Sequence, residues 1–306
     1  MKILIFYAAY LYFPFLVLCS YQAARHKGTI RIILLLGIFA SSLLAYGRFI
    51  EPRLLVTHHE TVLTHGANET GPSIRIALFS DTHFGIFKSA MPMSRIVKKV
   101  NAQTPDAVFI AGDFLYHLPP EKIPEALAPL AEISAPIYAV LGNHDVGFPG
   151  PVYTADLYSA LQALGVILVE NRVYAANIGG QDILIGGTSD LWQRKQDFSF
   201  TNTLLDKPLI LLTHNPDTAL NVPSNVSFAL MLAGHTHGGQ VRIPGLIDKV
   251  IPTQYPFDKG LHSVPMGDLE RLVYVTSGTG MVGLPFRFNM PPRVDILTVH
   301  LPTSAP

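Results

Sequence analysis

Five short apolar runs, each cut off by aspartate, asparagine or histidine, constrain this 306-residue chain more tightly than anything else in its sequence. Residues 74–80 lead into Asp81-Thr82-His83, 107–111 into Gly112-Asp113, and 137–141 into Gly142-Asn143-His144-Asp145. Residues 209–213 lead into His214, and 228–233 into Gly234-His235-Thr236-His237. Runs of this length and apolarity fit buried strands, as do 183–186, 272–276 and 296–299. Between the first two, residues 93–103 put Ile96, Val97 and Val100 on one helical face and Arg95, Lys98 and Lys99 on the other. A right-handed strand-helix-strand unit follows, and the alternation along the chain predicts an α/β domain. In open α/β sheets ligands gather beyond the carboxyl ends of strands, so polar residues far apart in sequence are expected to meet on one rim.

The residue types fit one chemistry. Two divalent cations roughly 3.5–4 Å apart can clamp the attacking and leaving oxygens of a phosphoryl group, provided a carboxylate bridges them. Carboxylate, imidazole and amide oxygen suit manganese, iron, zinc or cobalt, and the only cysteine, Cys19, offers no thiolate site or disulfide. In Asp81-Thr82-His83 and His235-Thr236-His237 the i,i+2 spacing turns both side chains to the same side of an extended backbone. Taken singly, Asp-Thr-His, Gly-Asp or His-Thr-His is ordinary loop composition. All five segments in order, each after a strand, are not.

The set resembles the calcineurin-like metallophosphoesterase superfamily, whose signature runs Asp-x-His, Gly-Asp, Gly-Asn-His-Asp/Glu, a lone His and Gly-His-x-His. The later Ser277-Gly278-Thr279-Gly280 and Pro285-Phe286-Arg287-Phe288-Asn289 are similar to its bacterial membrane-associated YkuE/YaeI-like branch. The resemblance implies a four-layer α/β/β/α sandwich of two mixed sheets and a pair of bound metals. It further implies that Asp81, His83 and His237 hold one cation, that Asn143, His214 and His235 hold the other, and that Asp113 bridges them. His144 is then catalytic rather than a ligand, and Asp145 supports its neighbours. Where many relatives carry Asp or Asn three residues after the Gly-Asp, this chain has Tyr116, which touches substrate contacts and not the ligand set.

The composition, 49% hydrophobic, 14% charged and with mean hydropathy +0.32, is drier than an ordinary soluble domain. The excess lies at the start. Residues 3–24 and 32–47 carry no charge, and Arg31 and Arg48 flank the second run. An uncleaved transmembrane hairpin over 1–50 is expected, since a signal peptide would need a small-residue cleavage site that is missing. Arg25, Lys27 and Arg31 in the connection balance Lys2, Arg48 and Arg53 in number but are denser. That density inclines the catalytic domain to the outer, periplasmic side of a bacterial cytoplasmic membrane. Residues 51–73, with His58, His59 and His65 and ending in Gly71-Pro72, read as a linker with solvated histidines, leaving 74–306 as the catalytic domain.

Lys+Arg and Asp+Glu balance at 22 each, so nucleic acid is not an expected partner; Arg287 and Arg293 read as isolated surface or substrate-phosphate contacts. The expected activity is hydrolysis of a phosphodiester, phosphomonoester or pyrophosphate bond, and the hairpin favours a lipid-linked substrate. One alternative is pyrophosphate cleavage of a UDP-diacylglucosamine lipid, whose cytoplasmic location conflicts with the orientation above. Another is a membrane-anchored binding protein without catalysis, which would require a lost ligand; all seven are present. Residues 281–290, apolar and aromatic, either line a lipid entrance or pack as core.

Overall fold

The computed structural model describes residues 2–87, 91–203, 207–243, 251–266 and 269–302. Its helices are α1 (Lys2–Ala8), α2 (Tyr12–Arg25), α3 (Gly28–Ala45), α4 (Met93–Asn101), α5 (Ile123–Leu127) and α6 (Thr154–Ala163). The first strands are β1 (Val56–Leu63), β2 (Ser73–Phe79), β3 (Phe84–Gly85), β4 (Ala107–Ala111), β5 (Leu115–Tyr116), β6 (Ile137–Val140) and β7 (Ile167–Leu168). The later ones are β8 (Arg172–Ile178), β9 (Gln181–Gly187), β10 (Leu209–Leu212), β11 (Leu230–Ala233), β12 (Gly260–Met266), β13 (Leu269–Val275) and β14 (Arg293–His300).

Twelve of these strands form two six-stranded mixed sheets, ordered β1-β14-β2-β4-β6-β7 and β12-β13-β11-β10-β9-β8, and β3 and β5 pair separately. Strands β2, β4, β6 and β7 run parallel, as do β9, β10, β11 and β13, and antiparallel neighbours complete each sheet. The period-two alternation of a strand buried on both faces explains the layering. Ile76 and Leu78 of β2 enter the core between the sheets with Phe109, Ile185, Ile210 and Leu232. Ala77 and Phe79 face the other way, against Ile96, Val97 and Val100 of α4. Each large aliphatic side chain so enclosed contributes about 1.5–3 kcal/mol.

Two features differ from the sequence reading. The segment expected to be a linker contains β1, which pairs in parallel with β14 along its whole length. An edge strand of polar composition, Val-Thr-His-His-Glu-Thr-Val-Leu, leaves no apolar run to find, and only Val62 of it is fully buried. His58 is half-buried on that strand, and His59 and His65 are exposed. Four layers were expected, but among the described residues the outer cover of the second sheet is not α-helical. A 3-10 turn at Pro216–Leu220 and loops carrying Val222, Val226 and Phe257 pack there instead.

The N-terminal helices follow the apolar runs. Ile3–Arg25 and Gly28–Arg53 are each long and apolar enough to cross a membrane, and α3 buries none of its residues in the protein.

Candidate metal centre

Asp81 and His83 follow β2, Asp113 follows β4, Asn143 and His144 follow β6, His214 follows β10, and His235 and His237 follow β11. The structure brings all eight together at the carboxyl ends of the strands. The backbone works to place them there: Asp81, His83, Asp113, His235 and His237 have φ of 53°, 46°, 55°, 72° and 53°. For residues with a Cβ, such conformations cost of order 1–3 kcal/mol each and persist where the surroundings over-determine them, commonly at functional sites.

The contacts divide into two groups. In one, His83 Nε2 lies 3.0 Å from His237 Nε2, and Asp81 Oδ1 lies 3.4 Å from the latter and 3.8 Å from the former. In the other, Asn143 Oδ1 lies 3.0 Å from both His214 Nε2 and His235 Nδ1, which are 3.1 Å from each other. Asp113 Oδ2 stands between the groups, 3.5 Å from His83 Nε2 and 3.4 Å from His214 Nε2.

This donor set fits a pair of cations. Burial, the largest cause, pushes His83 and His235 down to about 3 and His237 well below its ordinary range, so all three are neutral imidazoles. Ring nitrogens 3.0 Å apart, beside a buried Asp81 Oδ1 that accepts no hydrogen bond, call for a positive centre that this protein's own donors do not supply. His214 Nδ1 donates to the Ala111 carbonyl at 2.7 Å, which turns Nε2 into the cluster, as metal-bound histidines are ordinarily oriented. Burial opposes a charge on His214, but the Asp113 carboxylate outweighs it and raises the imidazole to about 10. Asp113, which burial alone would raise, is in return held below the usual carboxylate range by His214 and His83.

Residues 74–239 match the family model described as calcineurin-like phosphoesterase. The chain belongs to this family. It is a metallophosphoesterase with a buried Asp/His metal-binding site. Over 260 residues it is 28% identical to the uncharacterized metallophosphoesterase YkuE of Bacillus subtilis, covering 83% of this chain and 88% of YkuE. It is 31% identical over 233 residues to phosphodiesterase YaeI of Escherichia coli, covering 73% and 81%. A transmembrane protein with metallophosphoesterase domain from Danio rerio is 31% identical over 232 residues, covering 70% of this chain and 50% of that one.

Around the cluster this metallophosphoesterase holds a supporting ring. Asp145 accepts from the backbone N–H of Phe114, Leu115 and Gly142 at 3.1, 3.0 and 3.0 Å, tying the loop after β4 to the loop after β6. Asn143 Nδ2 donates to the Phe148 carbonyl, which aims Oδ1 at the histidines. The His144 backbone N–H donates to Asp113 Oδ1 at 2.9 Å, and its ring Nδ1 pairs with the Pro149 carbonyl at 3.0 Å. Tyr116 sets its ring edge-on to His83 and His144, at 5.6 and 5.1 Å.

Arg287 and Arg293 are not surface residues. Arg287 is wholly buried, donates to the carbonyls of Gly280, Met290, Ser277 and Gly278, and brings Nη2 to 3.5 Å from His237 Nδ1. Arg293 is buried and its Nε lies 2.9 Å from Asp295 Oδ1. An arginine that serves backbone carbonyls leaves no partner type in the sequence to signal it. Trp192 also escaped the sequence reading: the chain's single tryptophan is 41% exposed with its ring 4.9 Å from that of His235. A lone aromatic in a polar segment is the one available signal.

Proposed function

We propose that this protein is a membrane-anchored, dinuclear metal-dependent phosphoesterase acting on a lipid-linked phosphate ester. The observation that carries the reading is the single Asp113 oxygen set between two groups of buried donors, Asp81, His83 and His237 on one side and Asn143, His214 and His235 on the other. Asp81, His83 and His237 would hold one cation, Asn143, His214 and His235 the other, and Asp113 both. When bound, such a pair supplies a strong nucleophile at neutral pH and Lewis-acid stabilisation of the phosphoryl group. The protein's own part is positional. Asp145 and Arg287 fix the loops that carry the donors, while His144, outside the ligand set, protonates the departing oxygen or hydrogen-bonds to charge developing on the phosphate. Its Nδ1 contact to Pro149 favours the tautomer with the lone pair on Nε2, which becomes a donor on protonation.

The two exposed apolar N-terminal helices support attachment to a bilayer, where an enzyme meets a lipid substrate in two dimensions. Fusion of a reporter to the C-terminus separates an outer from a cytoplasmic catalytic domain. A cytoplasmic one would turn the substrate reading towards a nucleotide-linked lipid pyrophosphate.

The roles are tested by metal analysis and by turnover of bis(p-nitrophenyl) phosphate with manganese, iron, zinc or cobalt supplied. Asp113→Ala is expected to lose metal and activity together. His144→Ala should keep its metal while kcat falls by about 10²–10⁴-fold. Loss of metal from the His144 variant as complete as from the Asp113 variant would reject the assignment.

A further inference from the structure

Arg48 belongs to a π-helical turn, Tyr46–Ile50, that extends α3. It is 5% exposed, and no carboxylate lies within 4 Å of it among the described residues. Its Nη2 reaches the Phe6 carbonyl at 3.4 Å, its guanidinium lies over the rings of Phe6 and Phe49 at 4.1 and 5.0 Å, and its Nε has no partner. A guanidinium withdrawn from water without an anion is costly. Near the end of a helix apolar enough to cross a bilayer, such a residue is a candidate ligand site.

Arg48 lines a groove of about 1170 Å³ between the hairpin and the catalytic domain. Ala9, Phe15, Ala40 and Leu44 form the hairpin wall, and Leu284 and Phe286 belong to the domain wall. The volume exceeds the roughly 300–1,000 Å³ of an ordinary small-molecule pocket, and the lining is almost wholly apolar. Leu11 and Leu44 on its lining are 68% and 64% exposed, so the groove is continuous with the apolar outer surface of the helices.

The domain wall belongs to a loop that reaches the metal centre. The loop that carries Phe286 also carries Arg287, whose backbone N–H donates to Gly47 O at 2.9 Å and whose side chain reaches His237. On the other flank a file of rings runs from Phe6 through Phe87 and Tyr116 to His144, with centroid spacings of 5.9, 5.6 and 5.1 Å. A chain lying in the groove therefore has its head at Arg48, a cation that lacks an anion, with Arg287 on one flank and Phe87 and Tyr116 on the other standing between it and the catalytic cluster.

We propose that this groove is the acyl-chain site for a lipid phosphoester substrate, with Arg48 receiving an anionic oxygen of the headgroup. The inference rests on the phosphoesterase reading above and specifies which substrates that site takes.

The test uses the full-length, manganese-loaded protein in nanodiscs and a series of diacylglycerophospho-p-nitrophenol esters, in which the scissile bond stays constant and only chain length changes. For the wild type, kcat/KM is expected to rise at least tenfold from dibutanoyl to dioctanoyl chains. Ala40→Trp and Ala9→Trp fill the groove from separate segments of the hairpin wall, so a folding failure in one leaves the other, and each should reduce that rise to within twofold. Arg48→Leu should lower kcat/KM on the dioctanoyl ester at least tenfold and, by native mass spectrometry, retain less dioleoyl phosphatidic acid than the wild type.

A chain-length gain that survives both tryptophans, or no gain in a wild type that cleaves bis(p-nitrophenyl) phosphate, overturns the groove and spares the phosphoesterase. Metal-loaded protein that cleaves neither kind of ester overturns both.

Discussion

Five of the seven proposed ligands adopt positive φ, so the cluster is held against local preference by what surrounds it. That cost leaves the site charged for a cation, and proton linkage exposes it. In the metal-free protein His214 is raised to about 10 by Asp113 and Asp81 is raised, chiefly by burial, to about 7. Both bind protons below those values, and a cation must displace them. Metal affinity should therefore increase as pH rises towards 10, with at least one proton released per chain at pH 7. Calorimetry in buffers of different ionisation enthalpy measures the release directly; heats that do not depend on buffer would contradict it. Arg287→Lys should lower metal affinity about 10–100-fold, because an ammonium cannot reproduce a planar fork that serves several carbonyls, and a metal titration reads it. The residues that gather in the cluster and their order were legible in the sequence because cation chemistry admits few side chains. Arg287 was not, since its acceptors are main-chain oxygens that any residue provides.

The β4 and β6 loops owe their mutual placement to Asp145 and to the lack of a side chain at position 142. A Cβ on Gly142 would lie 2.2 Å from Asp113 Oδ1, so Gly142→Ala should displace the Asp113 carboxylate and abolish metal binding while the sheets remain folded. Circular dichroism alongside metal analysis distinguishes that outcome from unfolding. Asp145→Ala orphans three buried N–H donors, a loss of about 3 kcal/mol or more. For a domain of this size that corresponds to a fall of roughly 6–12 °C in Tm, with Asp145→Asn falling less because an amide oxygen can still accept. The strands that carry the site are apolar on both faces, and the sequence announced them to within a few residues. Strands β1, β8 and β12 were missed for the opposite reason. They are edge strands with half-exposed patterns, and neighbours distant in the chain, not composition, make β1 a strand.

At the scale of the whole molecule, the N-terminal segment is docked to the catalytic domain and not merely tethered to it. Gly47 is packed so closely that a Cβ there would meet the Phe286 ring at 2.3 Å, and its carbonyl accepts from Arg287 N. Glu51, buried to 2% exposure, accepts from the backbone N–H groups of Asn289 and Met290. Residues 46–53 thus clamp the loop from which Arg287 reaches His237. Two truncations separate anchoring from clamping. A chain starting at residue 46 keeps both contacts and should retain metal stoichiometry and turnover of a soluble diester within about twofold of the full-length protein. A chain starting at residue 54 leaves the 286–290 loop without Glu51 and Gly47, and its metal affinity should drop at least tenfold, as for other supporting contacts around a metal. Equal behaviour of the two would show that the clamp is dispensable. In that event the apolar helices would act on catalysis only by holding the enzyme at a surface, and Glu51→Ala in the intact chain would leave metal binding unchanged.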